Sequence, residues 1–135
     1  MSGETDLTIL LHNMSPVLHD EEYVFITVDG NYGDYQHLGP LCSYKEKEGL
    51  TLIIPKKIAS IHNMEIDAVF KVITLEVHSS LNAVGLTAAV ASKLSADGIS
   101  ANVVAAYYHD HVFVQAEFAD RAVKSLKGLT KPNYG

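Results

Sequence analysis

Three consecutive residues, His109-Asp110-His111, put two imidazoles on either side of a carboxylate, the ligand types that hold zinc, nickel or copper. In an extended segment the two histidines share a face; at a hairpin tip, where an aspartate favours the turn, they diverge. The flanking apolar runs place them at such a tip, so a turn is expected and a metal centre is not. His78 is the further imidazole that would change this expectation, if the strand end carrying it met the hairpin. Cys42 is the single cysteine. It has no CxxC motif, no Cys/His ligand set and no base signature beside it, and a buried strand thiol is expected in place of a nucleophile. The acidic run Asp20-Glu21-Glu22 and the mixed run Lys45-Glu46-Lys47-Glu48 have the character of solvated turns. Tyr32, Tyr35 and His37 could gate a pocket, but a glycine-rich loop packing its own aromatics is the simpler expectation. Gly30-Asn31-Tyr32-Gly33 does not match a phosphate cradle. No acid/base or nucleophile constellation stands out, so no catalytic residue is assigned and neither a metal nor a cofactor is expected.

The chain that must position these groups has 135 residues, enough for one domain or two very small modules sharing a core. With 10 Lys+Arg against 16 Asp+Glu, the formal net charge of -6 argues against nucleic acid and against an anionic membrane surface as partners. The acidic start lacks the features of a signal peptide, and no stretch approaches the roughly 20 apolar residues of a spanning helix. Together with the lone cysteine, this leads to the expectation of a soluble protein in the reducing cytoplasm. Charge is unevenly divided: residues 1–67 carry 11 acids and 4 bases, residues 68–135 carry 5 acids and 6 bases. A boundary near residue 67 follows, with one unit over 1–67 and a second over 68–135.

The second half is the plainer. Phe70 to Val77 alternates as a strand, with Ile73, Leu75 and Val77 on one face and Thr74, Glu76 and His78 on the other. Leu86, Ala89, Val90 and Leu94 then form one helical stripe that Asp97-Gly98 ends. Ile99 to Tyr108 and Val112 to Phe118 predict a hairpin, and Ala119 to Leu126 a closing helix. Strand, helix, strand, strand, helix is the ferredoxin-like split βαβ order, an α+β fold with an antiparallel sheet and its helices on one face. The first half is a blurred version. Leu7, Leu10, Leu11 and Met14 mark a short helix capped by Asp6 and stopped by Pro16; Tyr23 to Val28 is a strand; residues 29 to 40 form a loop. Leu41 to Tyr44 and Leu50 to Ile54 form a hairpin, and Pro55 opens a helix through Ile61. The hairpin, aliphatic strand and terminal helix recur at a spacing of roughly 60 residues, the mark of a duplication that lacks a strand before the first helix.

From Leu75-Glu76-Val77-His78 through Val84-Gly85-Leu86-Thr87, the helix to Leu94, Asp97-Gly98-Ile99-Ser100 and Val103-Val104, the chain resembles the ACT-domain superfamily. Its first half, with Leu10-Leu11-His12-Asn13-Met14-Ser15-Pro16 and Glu48-Gly49-Leu50-Thr51-Leu52-Ile53-Ile54-Pro55, is similar to small bacterial proteins with two ACT-like units. The resemblance implies tandem ferredoxin-like (βαββαβ) units and a non-enzymatic regulatory sensor that binds a small molecule, an amino acid by kinship, and works as a homodimer. The alternative is a module that only dimerises or docks on an enzyme and holds no ligand. In a sensor, Ser79, Ser80, Leu81, Asn82, Ala83 and Val84 lead through Gly85 and Leu86 into a helix N-terminus. Its unpaired N–H groups and dipole suit a free carboxylate. Gly85 would admit a ligand or a neighbouring backbone, and Ser80 or Asn82 would cap the helix or touch the ligand. Ser100, Asn102 and Val103 stand where a facing unit would complete the pocket.

Overall fold

The structure is a computed structural model that describes residues 7–77 and 85–130. In chain order the elements are α1 (Leu7–Asn13), β1 (Ser15–Val28), a 3-10 helix (Tyr32–Leu38), β2 (Cys42–Lys45), β3 (Leu50–Pro55) and α2 (Lys56–Ile61). They continue as β4 (Phe70–Glu76), α3 (Leu86–Ala96), β5 (Asn102–Ala105), β6 (Asp110–Gln115), a 3-10 turn (Ala116–Phe118) and α4 (Ala119–Thr130).

These elements make two compact units. Among the described residues, one unit joins those up to His19 with those from Lys71 onward, and the other is Asp20–Phe70. The division therefore falls inside β1, whereas charge alone puts it near residue 67. Core chemistry explains the difference. Leu10 and Met14 are buried in the same apolar cluster as Ile73, Leu75, Leu86, Val90, Leu94 and Leu126, so the stripe of α1 joins α3 and α4 and takes the first residues of β1 with it.

In this larger unit the strand order is β1-β4-β6-β5, with β5 and β6 antiparallel from Asn102↔Phe113 to Ala105↔Asp110. Alternation sorts the side chains: Ile73, Leu75, Val112 and Val114 enter the core beneath the helices, and Thr74, His111 and Phe113 fall on the other face. In the smaller unit the order is β2-β3-β1, with Tyr23 to Val28 of β1 antiparallel to β3 and β2 antiparallel on the other side of β3. Its core gathers Val24, Leu38, Leu50, Leu52, Ile54 and Ala59. The stretch 29–40, expected as a loop, contains the 3-10 helix that buries Leu38.

The duplication is written in the backbone at a constant offset. In the first hairpin the Glu46 amide donates to the Gly49 carbonyl at 2.9 Å; sixty positions on, the Ala106 amide donates to the His109 carbonyl at 3.1 Å. Leu52, Ile53 and Ile54 are buried, as are Val112, Phe113 and Val114. Both strands end on a residue of almost the same conformation, Pro55 at φ -58, ψ 136 and Gln115 at φ -55, ψ 135. Pro55 is thus the N-cap of α2 and not its first helical residue. Ala59 and Ala119, each buried in the following helix, complete the match. The expected α+β fold of tandem ferredoxin-like units with antiparallel strands is the observed one.

Candidate functional site

The start of α3 is built by two opposite demands. Leu86 is buried and anchors the first turn in the core, while Gly85 before it has φ 99, ψ -16, a conformation that side chains rarely adopt. The helix closes its first bond from the Ala89 amide to the Gly85 carbonyl at 2.8 Å, and among the described residues no side chain caps its N-terminus. Its leading N–H groups and the positive end of its dipole therefore suit an anion. Thr87, in that first turn, donates its hydroxyl to Asp110 Oδ2 at 3.3 Å, so a carboxylate of β6 stands next to the helix start. What comes close to Gly85 is Leu7 of α1: a Cβ built on the glycine would lie 3.1 Å from Leu7 Cδ2. Ser79, Ser80, Leu81, Asn82, Ala83 and Val84, with His78, lie outside the described residues.

Ser100, Asn102 and Val103 are placed elsewhere. They follow the C-terminal end of α3, and eleven helical residues put roughly 16 Å between that end and Gly85. Ser100 is exposed. Asn102 donates its side-chain amide to the Phe113 carbonyl across the hairpin at 3.2 Å, whereas Val103 packs into the core beneath the helices. Within this unit Asn102 and Val103 are on opposite faces of β5, and none of the three shares an end with Gly85 and Leu86. Beside them is an open depression of about 390 Å3 lined by Asp97, Ile99, Arg121, Lys124 and Ser125. Its charges are largely occupied: Arg121 donates to the Asp97 carbonyl at 2.8 Å, and Ser125 donates to the Asp97 carboxylate, which also faces Lys93 at 3.8 Å.

The hairpin that was expected to turn at His109-Asp110-His111 turns earlier. Ala106 to His109 close the turn, Tyr107 and Tyr108 occupy its tip, and Asp110 and His111 already belong to β6. The two histidines are thereby separated by one residue of extended chain. Asp110 reaches Thr87 of α3; on the other face, Thr74 Oγ1 lies 2.9 Å from His111 Nδ1 and 2.8 Å from His19 Nε2. Burial, reinforced by His109 and His19 and opposed by Asp110, holds the His111 imidazole below the ordinary histidine value of 6.5. His109 Nδ1 is buried and has no hydrogen-bond partner among the described residues. Sequence reasoning named His109 and His111 but missed Thr74 and His19. The only signal was that Thr74 falls on the polar side of an alternating strand.

The remaining candidates have structural surroundings. Glu22 and Glu21 face Lys56 and Lys57 at 3.5 and 3.3 Å in exposed ion pairs, and Tyr35 donates its hydroxyl to the Asp29 carbonyl. Cys42 is half-buried on β2. Among the described residues no group of three or more His, Cys, Asp or Glu side chains has the arrangement to hold a metal ion.

Residues 2–71 match one ACT-domain pattern and residues 67–128 match a second. The chain belongs to the ACT-domain family. ACT domains are typically regulatory, ligand-binding modules. A Vibrio cholerae protein of unknown function, a possible transport protein, is 50% identical to this ACT protein over 93% of this chain and 96% of its own, with a TM-score of 0.86. An Agrobacterium tumefaciens protein shares the tandem ACT fold at 12% identity, with 90% and 96% of the two chains covered and a TM-score of 0.69. So does the ligand-free regulatory subunit of aspartate kinase from Thermus thermophilus, at 10% identity, 86% and 97% coverage and a TM-score of 0.62. Among curated proteins none matches the chain. No helix among the described residues is long and apolar enough to cross a membrane.

Proposed function

We propose that this tandem ACT protein is a cytoplasmic, non-enzymatic sensor that binds an amino acid and acts as a homodimer. The observation that carries the proposal is the start of α3, where a helix whose N-cap is the glycine Gly85 stands beside Asp110. An amino acid has the matching charges. Its carboxylate would take the leading N–H groups of α3, and its ammonium, or a basic side chain, would face the Asp110 carboxylate. Ser79 to Val84, which precede this helix in the sequence, would supply the rest of the pocket. Family membership supports the same reading, since ACT domains are regulatory modules and the fold is shared with aspartate kinase regulatory subunits. Ser100, Asn102 and Val103 would take part only from a facing unit or a second copy of the chain.

The alternative is a module that dimerises or docks on an enzyme without a ligand. Its support is the exposed tyrosines that each unit carries on its own hairpin, Tyr44 at 71% in the smaller unit and Tyr107 and Tyr108 at 77% each in the larger. Melting the protein against each of the twenty amino acids, with nickel and zinc as controls, separates the two. A ligand at about 100 times its dissociation constant adds about 2.7 kcal/mol and moves the midpoint by several degrees. The sensor predicts such a shift for one amino acid or a small group, weakened in Asp110→Asn. A flat response at millimolar concentration refutes the sensor and leaves the interaction module, which predicts a mass that depends on protein concentration alone.

A further inference from the structure

We propose that His19, Thr74 and His111 form a proton-sensing clasp across β1, β4 and β6 of the larger unit, closed when at most one of the two imidazoles is protonated and opened by the second proton. The inference is independent of any ligand.

The geometry is that of one hydroxyl between two rings. Thr74 is only 6% exposed, and its oxygen lies 2.8 Å from His19 Nε2 and 2.9 Å from His111 Nδ1. A threonine hydroxyl has one proton to donate and two lone pairs to accept with. With both rings neutral, the hydroxyl therefore donates to one imidazole nitrogen and accepts an N–H from the other. That choice sets the tautomer of each ring. A first proton is accommodated without breaking the bridge: one ring becomes a donor at both nitrogens while the other still accepts from Thr74. A second proton is not. Both rings would then point N–H groups at the same oxygen, the buried hydroxyl proton would lose its acceptor, and two like charges would lie within about 6 Å of each other.

The surroundings favour the closed state. His111 faces His19 from β1, and His109 and Asp110 from its own strand segment; the two histidines and burial disfavour its charge, and Asp110 alone favours it. Asp110 is engaged by the Thr87 hydroxyl of α3. The three bridged residues also differ in access to water: His19 is exposed, Thr74 is buried and His111 is half-buried. His19 is thus the ring on the solvent side of the bridge, and the Thr74 hydroxyl connects it to His111. His19 belongs to the stretch of β1 that closes this unit's sheet, so the bridge ties the N-terminal contribution to strands more than fifty residues away.

Nitrogen NMR of the histidine rings in the intact protein is the test, because it reports tautomer and titration together. The expected result at neutral pH is a single fixed tautomer for each of His19 and His111, with His111 titrating below 6.5 and the chemical shifts of both rings moving together. Thr74→Val removes the hydroxyl at constant shape and should release both rings to mixed tautomers and independent titration; Thr74→Ser should restore the coupling. Mixed tautomers in the unmodified protein overturn the proposal, as does unchanged coupling in a folded Thr74→Val variant. If that variant does not fold, the tautomers of the unmodified protein and of Thr74→Ser decide the matter alone. A merely structural threonine would lower stability in Thr74→Val without altering ring titration, and that outcome also refutes the clasp.

Discussion

Replacing Gly85 by alanine separates two costs that occur together at the start of α3. The backbone there has φ 99, and an added Cβ would sit 3.1 Å from Leu7 Cδ2 and 3.7 Å from Leu7 Cδ1. A left-handed conformation costs a residue with a Cβ about 1 kcal/mol or somewhat more. Moving the end of Leu7 off its rotamer adds about 0.5–1.5 kcal/mol. The expected total is about 2 kcal/mol. Gly98 is the internal control, since it also has positive φ, +77, but open space where a Cβ would go. Gly98→Ala should therefore show the backbone cost alone, about 1 kcal/mol. At about 2.1 cal/mol/K per residue, a domain of this length loses roughly 3–4 °C of melting temperature per kcal/mol, so the two variants should fall by about 7 and 3–4 °C. Leu7→Ala combined with Gly85→Ala should then be less damaging than the sum of the singles by about 0.5–1 kcal/mol, because the truncated side chain no longer meets the new methyl. Calorimetric melting of the four variants checks this. Equal losses at Gly85 and Gly98 with an additive double variant would refute the packing of α1 on the start of α3. No loss at Gly85 would refute the left-handed turn itself.

Ser125→Ala should raise the Asp97 carboxyl toward its ordinary value of 3.8, because the serine hydroxyl bond is the largest of the influences holding it down, ahead of opposing desolvation and of Lys93 and Arg121. A depressed carboxyl stabilises the fold above pH 3.8 and loses that contribution as pH falls through the folded value, so the variant should lose less on acidification; carbon NMR of the carboxyl and melting below pH 4 read both effects. Leu126→Ala empties a position with no exposure in the core of the larger unit and should cost about 2–5 kcal/mol in a denaturation curve, whereas Leu41→Ala, at 52% exposed, should cost less than about 1 kcal/mol.

Helical and strand periodicity made the elements of the second half legible because each buries one face. Leu86, Val90 and Leu94 recur on one stripe and all are buried, and the sixty-residue repeat survives because its aliphatic strand and following alanine keep the same places. The allegiance of α1 was not legible. Its leucine stripe demands a core without saying which, and only folding shows Leu10 and Met14 beside Ile73 and Leu126. The extent of β1 was hidden for a different reason: Pro16 has the character of a helix stop, and the charges of Asp20-Glu21-Glu22 interrupt alternation, yet Glu21 and Glu22 meet the lysines of α2 and the strand runs unbroken from Ser15–Val28. In the β5–β6 hairpin the aromatic character of Tyr107 and Tyr108 suggested strand, but both are at the exposed tip, which shortens β5 to four residues and brings Asp110 and His111 into β6. The contact between Thr74 and His19 spans 55 positions, beyond any local pattern.

That shift of the hairpin places two kinds of chemistry on neighbouring residues. In a strand, successive side chains point to opposite faces. Asp110 is directed to Thr87 at the start of α3, and His111 to Thr74 beneath the other face. The two are nevertheless coupled through charge, because the Asp110 carboxylate is the influence that favours protonation of His111. Proton state on one face and anything held at the start of α3 on the other would then be linked, and the linkage would be reciprocal: an occupant that draws Asp110 toward α3 changes the proton affinity of His111 by the same factor as protonation changes the affinity for the occupant. Asp110, the carboxylate between two histidines for which the sequence predicts a hairpin tip, is the strand residue at which these two faces meet.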